Sequence, residues 1–187
     1  MAYVLLDHYR WMARYNALFN ERLYDACEQL DDHQRKHDCG AFFGSIHRTL
    51  NHLIVADQIW LKRLRQCGLE NSFESLALSL ETLDLPDGHG LDTPVFDDWL
   101  ALRNKRRRLD DAIGNWFAEI PTQFPDFAMR YSNSKGVLRQ HPAWQALSHF
   151  FNHQTHHRGQ VTTMLMQAGV DPGVTDLLAL VGVSEQP

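Results

Sequence analysis

The chain has 187 residues, of which 44% are hydrophobic and 22% charged, and its formal net charge is −5. These values exclude an intrinsically disordered chain and predict one globular domain over residues 1–187. The negative charge argues against nucleic acid as a main partner. The sequence shows neither a signal peptide nor a stretch long enough to span a membrane, so we expect a cytoplasmic protein. The three cysteines, Cys27, Cys39 and Cys67, show no CxxC spacing and are expected to be reduced thiols.

Apolar residues at helical spacing predict four long helices, over about residues 4–30, 42–65, 96–119 and 142–168. Two glycines mark expected helix ends, because glycine readily adopts the left-handed conformation that closes a helix. Gly68 is expected just past the second helix and Gly169 just past the fourth. Pro142 suits the first turn of the fourth helix, where the missing backbone N–H costs nothing.

The connections between these helices carry further information. Residues 69–95 form a link long enough to let the third helix start at the opposite end of a bundle, as a crossover connection requires. Before the fourth helix, the alternation through Met129 and Tyr131 is followed by turn-forming residues, which predicts a small β-hairpin. One further short helix is expected within residues 175–181.

The segment from His149 to Gln160 contains four of the chain's 11 histidines. His149, His153 and His157 follow one another at intervals of four residues and therefore form one stripe on a helix. The outer two lie roughly 12 Å apart along the axis, so one ion can bind only the first two or the last two. Spacing alone chooses neither pair and also fits a purely structural stripe. Because Gln154 replaces the glutamate of an HExxH motif, zincin-type peptide hydrolysis is disfavoured.

A third ligand is best supplied by His52, in the second predicted helix. His52 lies at the margin of an apolar face beside Ala56 and other small residues, which leave space for a substrate cavity above an ion. His47 falls at the polar margin and is expected to be a solvated surface residue. Asp57 falls within the apolar face, where a buried carboxylate needs a partner. It is therefore half of an ion pair or, alternatively, a group that orients a ligand imidazole.

Several motifs resemble the DinB/YfiT-like family. In the first and second helices they are Met12-Ala13-Arg14-Tyr15-Asn16, Asn20-Glu21-Arg22-Leu23, Phe42-Phe43-Gly44-Ser45-Ile46-His47, and Asn51-His52-Leu53 with Asp57 and Trp60. In the fourth helix the motif is Asn152-His153-Gln154-Thr155-His156-His157-Arg158-Gly159-Gln160. The resemblance covers nearly the whole chain, and the motif of the fourth helix is quite specific.

The resemblance implies an all-α, up-up-down-down four-helix bundle, to which the sequence adds the crossover between the second and third helices and the hairpin. It also implies a divalent metal ion, usually nickel or zinc, held by one histidine of the second helix and two of the fourth. These match His52, His153 and His157, so that His149 and His156 become neighbours of the site. Characterised members of the family use low-molecular-weight thiols, as in mycothiol-dependent maleylpyruvate isomerase and the bacillithiol transferases.

We therefore expect a metal-dependent enzyme, either a thiol-dependent transferase or isomerase or a hydrolase, whose three-histidine site keeps one coordination position open. Its partner would be a small-molecule substrate, which in the thiol-dependent case is a low-molecular-weight thiol. Gln160 and Asn16 are expected to line the pocket, and no residue beyond the metal ligands is assigned to catalysis. The alternatives are a non-enzymatic metal-binding stress protein and a structural dimer with a vestigial site.

The sequence also bears on macromolecular partners. Acidic residues flank the basic run Lys105-Arg106-Arg107-Arg108, which is therefore expected to be a solvated, self-compensated helix face rather than a nucleic-acid site. No membrane partner is expected. A homodimer is expected, because relatives of this type often pair through helices and because five tryptophans and ten phenylalanines exceed the needs of one small core.

Overall fold

The computed structural model of the protein describes residues 5–85, 90–133 and 135–181, so residues 86–89 of the predicted long link lie outside the described residues. The helices are α1 (Leu5–Glu28), α2 (Asp32–Lys36), α3 (Ile46–Glu70), α4 (Trp99–Glu119), α5 (Ala143–Gln167) and α6 (Leu177–Val181). The strands are β1 (Ala128–Ser132) and β2 (Leu138–Pro142). The predicted helical class and the predicted hairpin are therefore confirmed.

The ends of α3 lie later in the chain than the sequence predicted. The hydroxyl of Ser45 accepts a hydrogen bond from the backbone N–H of Arg48 at 3.2 Å, so this cap starts the helix at Ile46. At the other end, Gly68 lies inside the helix rather than past it. A Cβ atom at Gly68 would lie 2.9 Å from the backbone oxygen of Phe73, so glycine allows the following chain to fold back closely against the helix.

The end of α5 agrees with the sequence. Gly169 has a φ of +80°, the left-handed conformation expected of a glycine that closes a helix. The backbone N–H of Val170 donates to the backbone oxygen of Leu165 at 2.9 Å, which satisfies one of the last carbonyl groups of the helix. A glycine at this position thus stops α5 where the pattern of apolar residues ends.

The hairpin of β1 and β2 fixes the start of α5. The strands are antiparallel, with Met129 opposite His141. Met129 is fully buried, while Ala128 and Arg130 on either side of it are exposed, as the alternation of a strand requires. The backbone N–H of Ala143, the first residue of α5, donates to the backbone oxygen of Phe127 at 2.8 Å. The strands therefore anchor the helix that carries most of the clustered histidines.

The four long helices share one hydrophobic core. Helix α1 packs along α4 and α5, and α3 packs along α5 and more lightly along α4. Full burial of a large apolar side chain stabilises the fold by about 1.5–3 kcal/mol. The largest apolar side chains buried in this way are Leu6, Leu23, Tyr24, Leu50, Leu53, Ile54, Leu61, Trp116, Phe117, Phe124 and Phe150. Within the described ranges, no helix combines the length and apolarity needed to cross a membrane.

Contacts near the helix ends give the direction of α1 relative to α4 and α5. At the start of α1, the hydroxyl of Tyr9 donates to the backbone oxygen of Trp144, beside the start of α5, at 2.9 Å. The ring of Tyr9 also lies 6.5 Å from that of Phe117, near the end of α4. Further along α1, Glu21 pairs with Arg103, near the start of α4, at 3.0 Å. Helix α1 therefore runs parallel to α5 and antiparallel to α4.

Helix α3 runs in the opposite direction to α5. The ring of Trp60 lies 4.7 Å from that of His149. The ring of His52, earlier in α3, lies 5.1 Å from that of His153, which is later in α5. Because the contacts advance along one helix as they retreat along the other, the two helices are antiparallel.

The long crossover, residues 71–98, returns the chain to the start of α3. The side-chain oxygen of Asn51 accepts hydrogen bonds from the backbone N–H groups of Val95 and Phe96 at 2.9 and 2.8 Å, so α4 begins beside the start of α3 and runs parallel to it. The expected up-up-down-down order is therefore wrong: α1 and α5 run one way, and α3 and α4 the other. An up-up-down-down bundle needs two long crossovers, whereas this chain has one.

A buried polar network joins the four long helices. Arg106 of α4 donates from Nη1 to Asp57 of α3 at 2.6 Å and from Nε to Asp110 at 3.0 Å. Asn20 of α1 donates to the carboxylate of Asp110 at 2.9 Å. Gln154 of α5 donates to the other oxygen of Asp57. Each long helix therefore contributes at least one member to the network.

The charges of the network balance. Arg158 of α5, which is 1% exposed, donates to the side chain of Asn16 and supplies a second buried cation. Burial raises the pKa of Asp57 and raises that of Asp110 to about 6. Burial alone would lower the pKa of Arg106, but the two carboxylates outweigh it and raise that pKa. Two carboxyl groups thus face two guanidinium groups, and a missing partner would leave a buried charge uncompensated.

Replacing Asp57→Ala should lower the free energy of unfolding by about 3–5 kcal/mol, because Arg106 would lose a buried partner. The measurement is urea unfolding of metal-free protein at neutral pH. The control is Asp7→Ala, which breaks the exposed pair between Asp7 and Arg10 and should change stability by no more than about 0.5 kcal/mol. A loss below about 1 kcal/mol for Asp57→Ala would contradict the buried pair.

Candidate metal centre

Three histidines from two helices converge at one point. His153 and His157 lie one turn apart on α5, and His52 faces them from α3. The Nε2 atom of His153 lies 3.2 Å from that of His52 and 3.1 Å from that of His157. Ligand atoms of the three residues all lie within 4.8 Å of one another, so together they can hold a metal ion. We call these residues the histidine triad.

Hydrogen bonds on the outer side of the rings determine which nitrogen faces inward. Nδ1 of His52 lies 2.7 Å from the backbone oxygen of Leu91, and since a carbonyl oxygen only accepts, Nδ1 carries the proton. Nδ1 of His157 likewise lies 2.8 Å from the side-chain oxygen of Gln160. In both rings the lone pair is therefore on Nε2, directed at the other imidazoles. Outer partners of this kind orient metal-binding histidines.

The spacing of the triad fits a first-row divalent ion. Three nitrogen ligands at about 2.0–2.1 Å in tetrahedral directions lie about 3.3 Å from one another, close to the two separations observed between Nε2 atoms. Neutral imidazoles suit zinc, nickel, copper or iron and leave the charge of the ion uncancelled. Three ligands also leave at least one coordination position for a small molecule.

Packing keeps the triad neutral. The ring of Phe43 stacks on that of His52, with centroids 4.0 Å apart, and lies 5.5 Å from that of His157. Burial lowers the pKa of His153 to about 3 and that of His157 to about 4, and it lowers the pKa of His52 as well. At neutral pH all three imidazoles are therefore in the unprotonated form that a metal ion requires.

A cavity of about 720 Å³ opens beside the triad. Its histidine end is formed by His52 and His153, and its far end by Arg63 of α3 and Tyr131 of β1. His149 lies in the wall between them, so the structure places it outside the triad, as the family resemblance implied. The volume is ample for a small-molecule ligand. A ligand in this cavity would reach both the triad and the two residues of the far end.

Two of the expected pocket residues have other contacts. Gln160 holds the ring of His157 and so supports the triad from behind. Asn16 belongs to the buried network, where it donates to Asp110, and it does not line the cavity beside the triad. Asp57 pairs with Arg106, which supports the ion-pair alternative among the two that the sequence left open.

One expectation about surface residues is wrong and another holds only in part. His47 is only 2% exposed, because the crossover covers it and the backbone oxygen of Phe96 lies 2.8 Å from its Nε2 atom. In the basic run, Arg107 and Arg108 are exposed, and Arg107 pairs with Glu21, as a solvated and charge-compensated face requires. The other two members are buried: Arg106 lies in the buried network, and Lys105 donates to the backbone oxygen of Thr82 at 2.8 Å. Half of the run is therefore used inside the fold.

Three of the site residues, Arg63, Tyr131 and Leu91, were not identified from the sequence. Arg63 and Tyr131 lie far apart in the chain and meet only because the hairpin packs on α3. Leu91 acts through its backbone oxygen, which no side-chain pattern can signal. The far end of the cavity and the outer partner of His52 were consequently missed.

Comparison with known proteins points to one family. The sequence profile of the DinB family matches residues 5–185, a range that includes the whole histidine triad. Protein DinB of Bacillus subtilis (strain 168) is 22% identical to this chain over 165 residues, which cover 87% of each protein. No solved structure matches the chain significantly.

Protein purified without a histidine tag and loaded with nickel or zinc should hold about one ion per chain. His157→Ala should lose most of this metal, because two imidazoles alone make a weak site. His149→Ala, on the same helix but outside the triad, is the matched control and should keep it. The measurement is elemental analysis after dialysis. Undiminished metal in His157→Ala, or equal loss in His149→Ala, would contradict the assignment.

The metal-free protein should lose stability as the pH falls from about 6.5 towards about 4. In this range the unfolded chain binds protons at His153 and His157, whereas their pKa values of about 3 and about 4 keep them neutral in the folded protein. Urea unfolding at several pH values measures the effect.

The control is the double variant His153→Gln with His157→Gln, whose stability should fall less over the same range. Asp110, with its raised pKa of about 6, contributes with the opposite sign in both proteins, so the comparison between them isolates the histidines. An identical pH dependence in the two proteins would refute the depressed histidine pKa values.

Proposed function

The chain belongs to the DinB family, and from this membership and the geometry of the histidine triad we propose that it is a divalent-metal-dependent enzyme acting on a small molecule. The observation that carries the proposal is that three Nε2 atoms converge and that two of the three histidines, His52 and His153, line a cavity. A purely structural site would be closed by a fourth protein ligand, whereas three ligands beside a cavity leave a position for substrate.

A bound divalent ion would supply one kind of chemistry, namely lowering the pKa of a coordinated water or thiol so that it becomes a nucleophile near neutral pH. The residues of this chain hold and orient the ligands for that purpose. Leu91 and Gln160 fix the outer nitrogens of His52 and His157, and Phe43 covers the triad on one side. We propose a thiol-dependent transferase or isomerase, or a hydrolase, as the reaction class.

The donor set supports an enzyme over a metal store. Storage and scavenging sites favour carboxylate or thiolate ligands, which neutralise the ion, whereas the triad consists of three neutral imidazoles. An ion held in this way keeps its full positive charge and attracts an anionic or readily ionised ligand. Nickel and zinc are the metals we propose, since both accept imidazole nitrogen.

The proposal extends to partners. The substrate would be a small molecule, with a low-molecular-weight thiol as co-substrate in the transferase or isomerase case. Nucleic acid is not proposed, since Lys105 and Arg106 of the basic run serve internal contacts and Arg107 pairs with Glu21. A homodimer remains a prediction, and a monomer mass from light scattering at micromolar concentration would refute it.

Cobalt substitution tests the open coordination position. The visible spectrum of the cobalt-loaded protein should shift when a thiol or azide is added, because the added ligand enters the coordination sphere of the ion. The shift should be absent from His52→Ala, which lacks one ligand, and should persist in the control His149→Ala. A spectrum indifferent to thiol, carboxylate and azide would favour a non-enzymatic metal-binding protein with a closed site.

A further inference from the structure

Arg63 lies on the same cavity as the triad but at its far end. His52 of the triad and Arg63 both belong to α3, and the 11 steps along the helix from His52 to Arg63 correspond to a rise of about 16 Å. Side chains of one helix lean towards its N-terminus, and because arginine is longer than histidine, the guanidinium of Arg63 lies closer to the ring of His52 than the backbone rise alone gives. Ala56 and Ile59 form the cavity wall between them. A gap on the order of 10 Å therefore separates the guanidinium from the triad.

Aromatic rings hold the guanidinium of Arg63 in place. Its central carbon lies 4.8 Å from the ring centre of Trp60 and 4.4 Å from that of Tyr131, which are distances typical of cation–π contacts. One of its nitrogens donates to the backbone oxygen of Ser132 at 3.2 Å. A planar group fixed on two rings keeps its remaining N–H donors in a defined direction, so binding a ligand would cost little side-chain entropy.

Arg63 also lacks a counter-ion. In the part of the chain that the structure describes, no carboxylate lies within ion-pair distance of it, although Arg65, two residues further along the helix, pairs with Glu74 at 3.4 Å. Burial lowers the pKa of Arg63, which shows that the cation is partly removed from water. Asp92 lines the same cavity, but its charge acts on His52, at the opposite end.

We propose that Arg63 binds the carboxylate of a small-molecule substrate whose other end coordinates the metal ion at the histidine triad. A guanidinium offers two parallel N–H donors that match the two oxygens of a carboxylate. The apolar wall of Ala56, Ile59 and Trp60 fits a hydrocarbon middle section. The substrate class is thus an elongated carboxylic acid with a thiol or another metal-binding group at its opposite end. The metal-binding half of this inference rests on the proposed function.

Matched pairs of thiols test the carboxylate contact. Mercaptohexanoate and mercaptohexanol have the same length and thiol but differ in the charge of the far end. In cobalt-loaded protein, the visible spectrum should give a dissociation constant about tenfold lower for the carboxylate, as a charge-assisted hydrogen-bonded contact provides. The shorter mercaptopropionate should show no such advantage over the alcohol of the same length, because it is too short to span the gap.

Variants at Arg63 assign the preference to this residue. Arg63→Met should bind both thiols equally and should bind mercaptohexanol as wild type does, while Arg63→Lys should retain part of the preference. Arg65→Met removes a cation of the same helix outside the cavity and is the matched control. Thermal unfolding of each variant checks that the hairpin still packs on α3. Equal binding of the two thiols by wild type, or a full preference in a folded Arg63→Met protein, would overturn the proposal.

A metal-free measurement separates this inference from the proposed function. Isothermal titration of metal-free wild type with hexanoate and with hexanol should show weak binding of hexanoate that disappears in Arg63→Met. If the triad fails to bind metal but this difference persists, the metal-dependent function is wrong and the carboxylate site stands. If thiols shift the cobalt spectrum without regard to their far end, the carboxylate site is wrong and the metal function stands.

Discussion

The ion pair between Asp57 and Arg106 is the interaction on which the rest of the structure depends. Two carboxylates and two guanidinium groups lie in an otherwise apolar core and are satisfied only when all four long helices take one rotation about their axes. This constraint reaches the metal centre directly, because Gln154 and Arg158 each follow a triad histidine by one residue. Turning α5 so that its polar core residues are paired also turns His153 and His157 towards α3.

The buried polar network and the histidine triad differ in how they treat charge. The network concentrates opposite charges that cancel in the interior, whereas burial keeps the triad uncharged until an ion arrives. A cation held by neutral ligands then becomes the largest local charge in its cavity. The guanidinium of Arg63 adds a second positive group at the other end. With an ion bound, the cavity would therefore carry a positive group at each end, with the carboxylate of Asp92 near the histidine end.

Much of the site could be predicted from the sequence, because helical spacing is a local property. The interval of four residues between His153 and His157 fixes a shared face of a helix whatever surrounds it. Resemblance to a family then chose this pair, and the structure brings it together with His52. The hairpin was equally accessible, since alternation of apolar residues around Met129 is also local.

The features that could not be predicted from the sequence depend on which segments of the chain meet in space. The direction of α3 could not be predicted, because the sequence does not show which end of the helices each connection joins. His47 was predicted to be exposed because it lies at the polar margin of its helix. It is buried because the crossover covers it, through a contact with Phe96, which follows 49 residues later in the chain. In the sequence Arg63 resembled any surface arginine, and only the packing of the hairpin places Tyr131 against it.

The shared register of the triad and the buried network along α5 restricts how the length of the chain can change. One residue inserted between Ala143 and His153 would rotate the rest of α5 by about 100° and misplace imidazoles and buried charges together. Insertions and deletions are thereby confined to the crossover and the hairpin turn, where added residues leave the register of α5 intact.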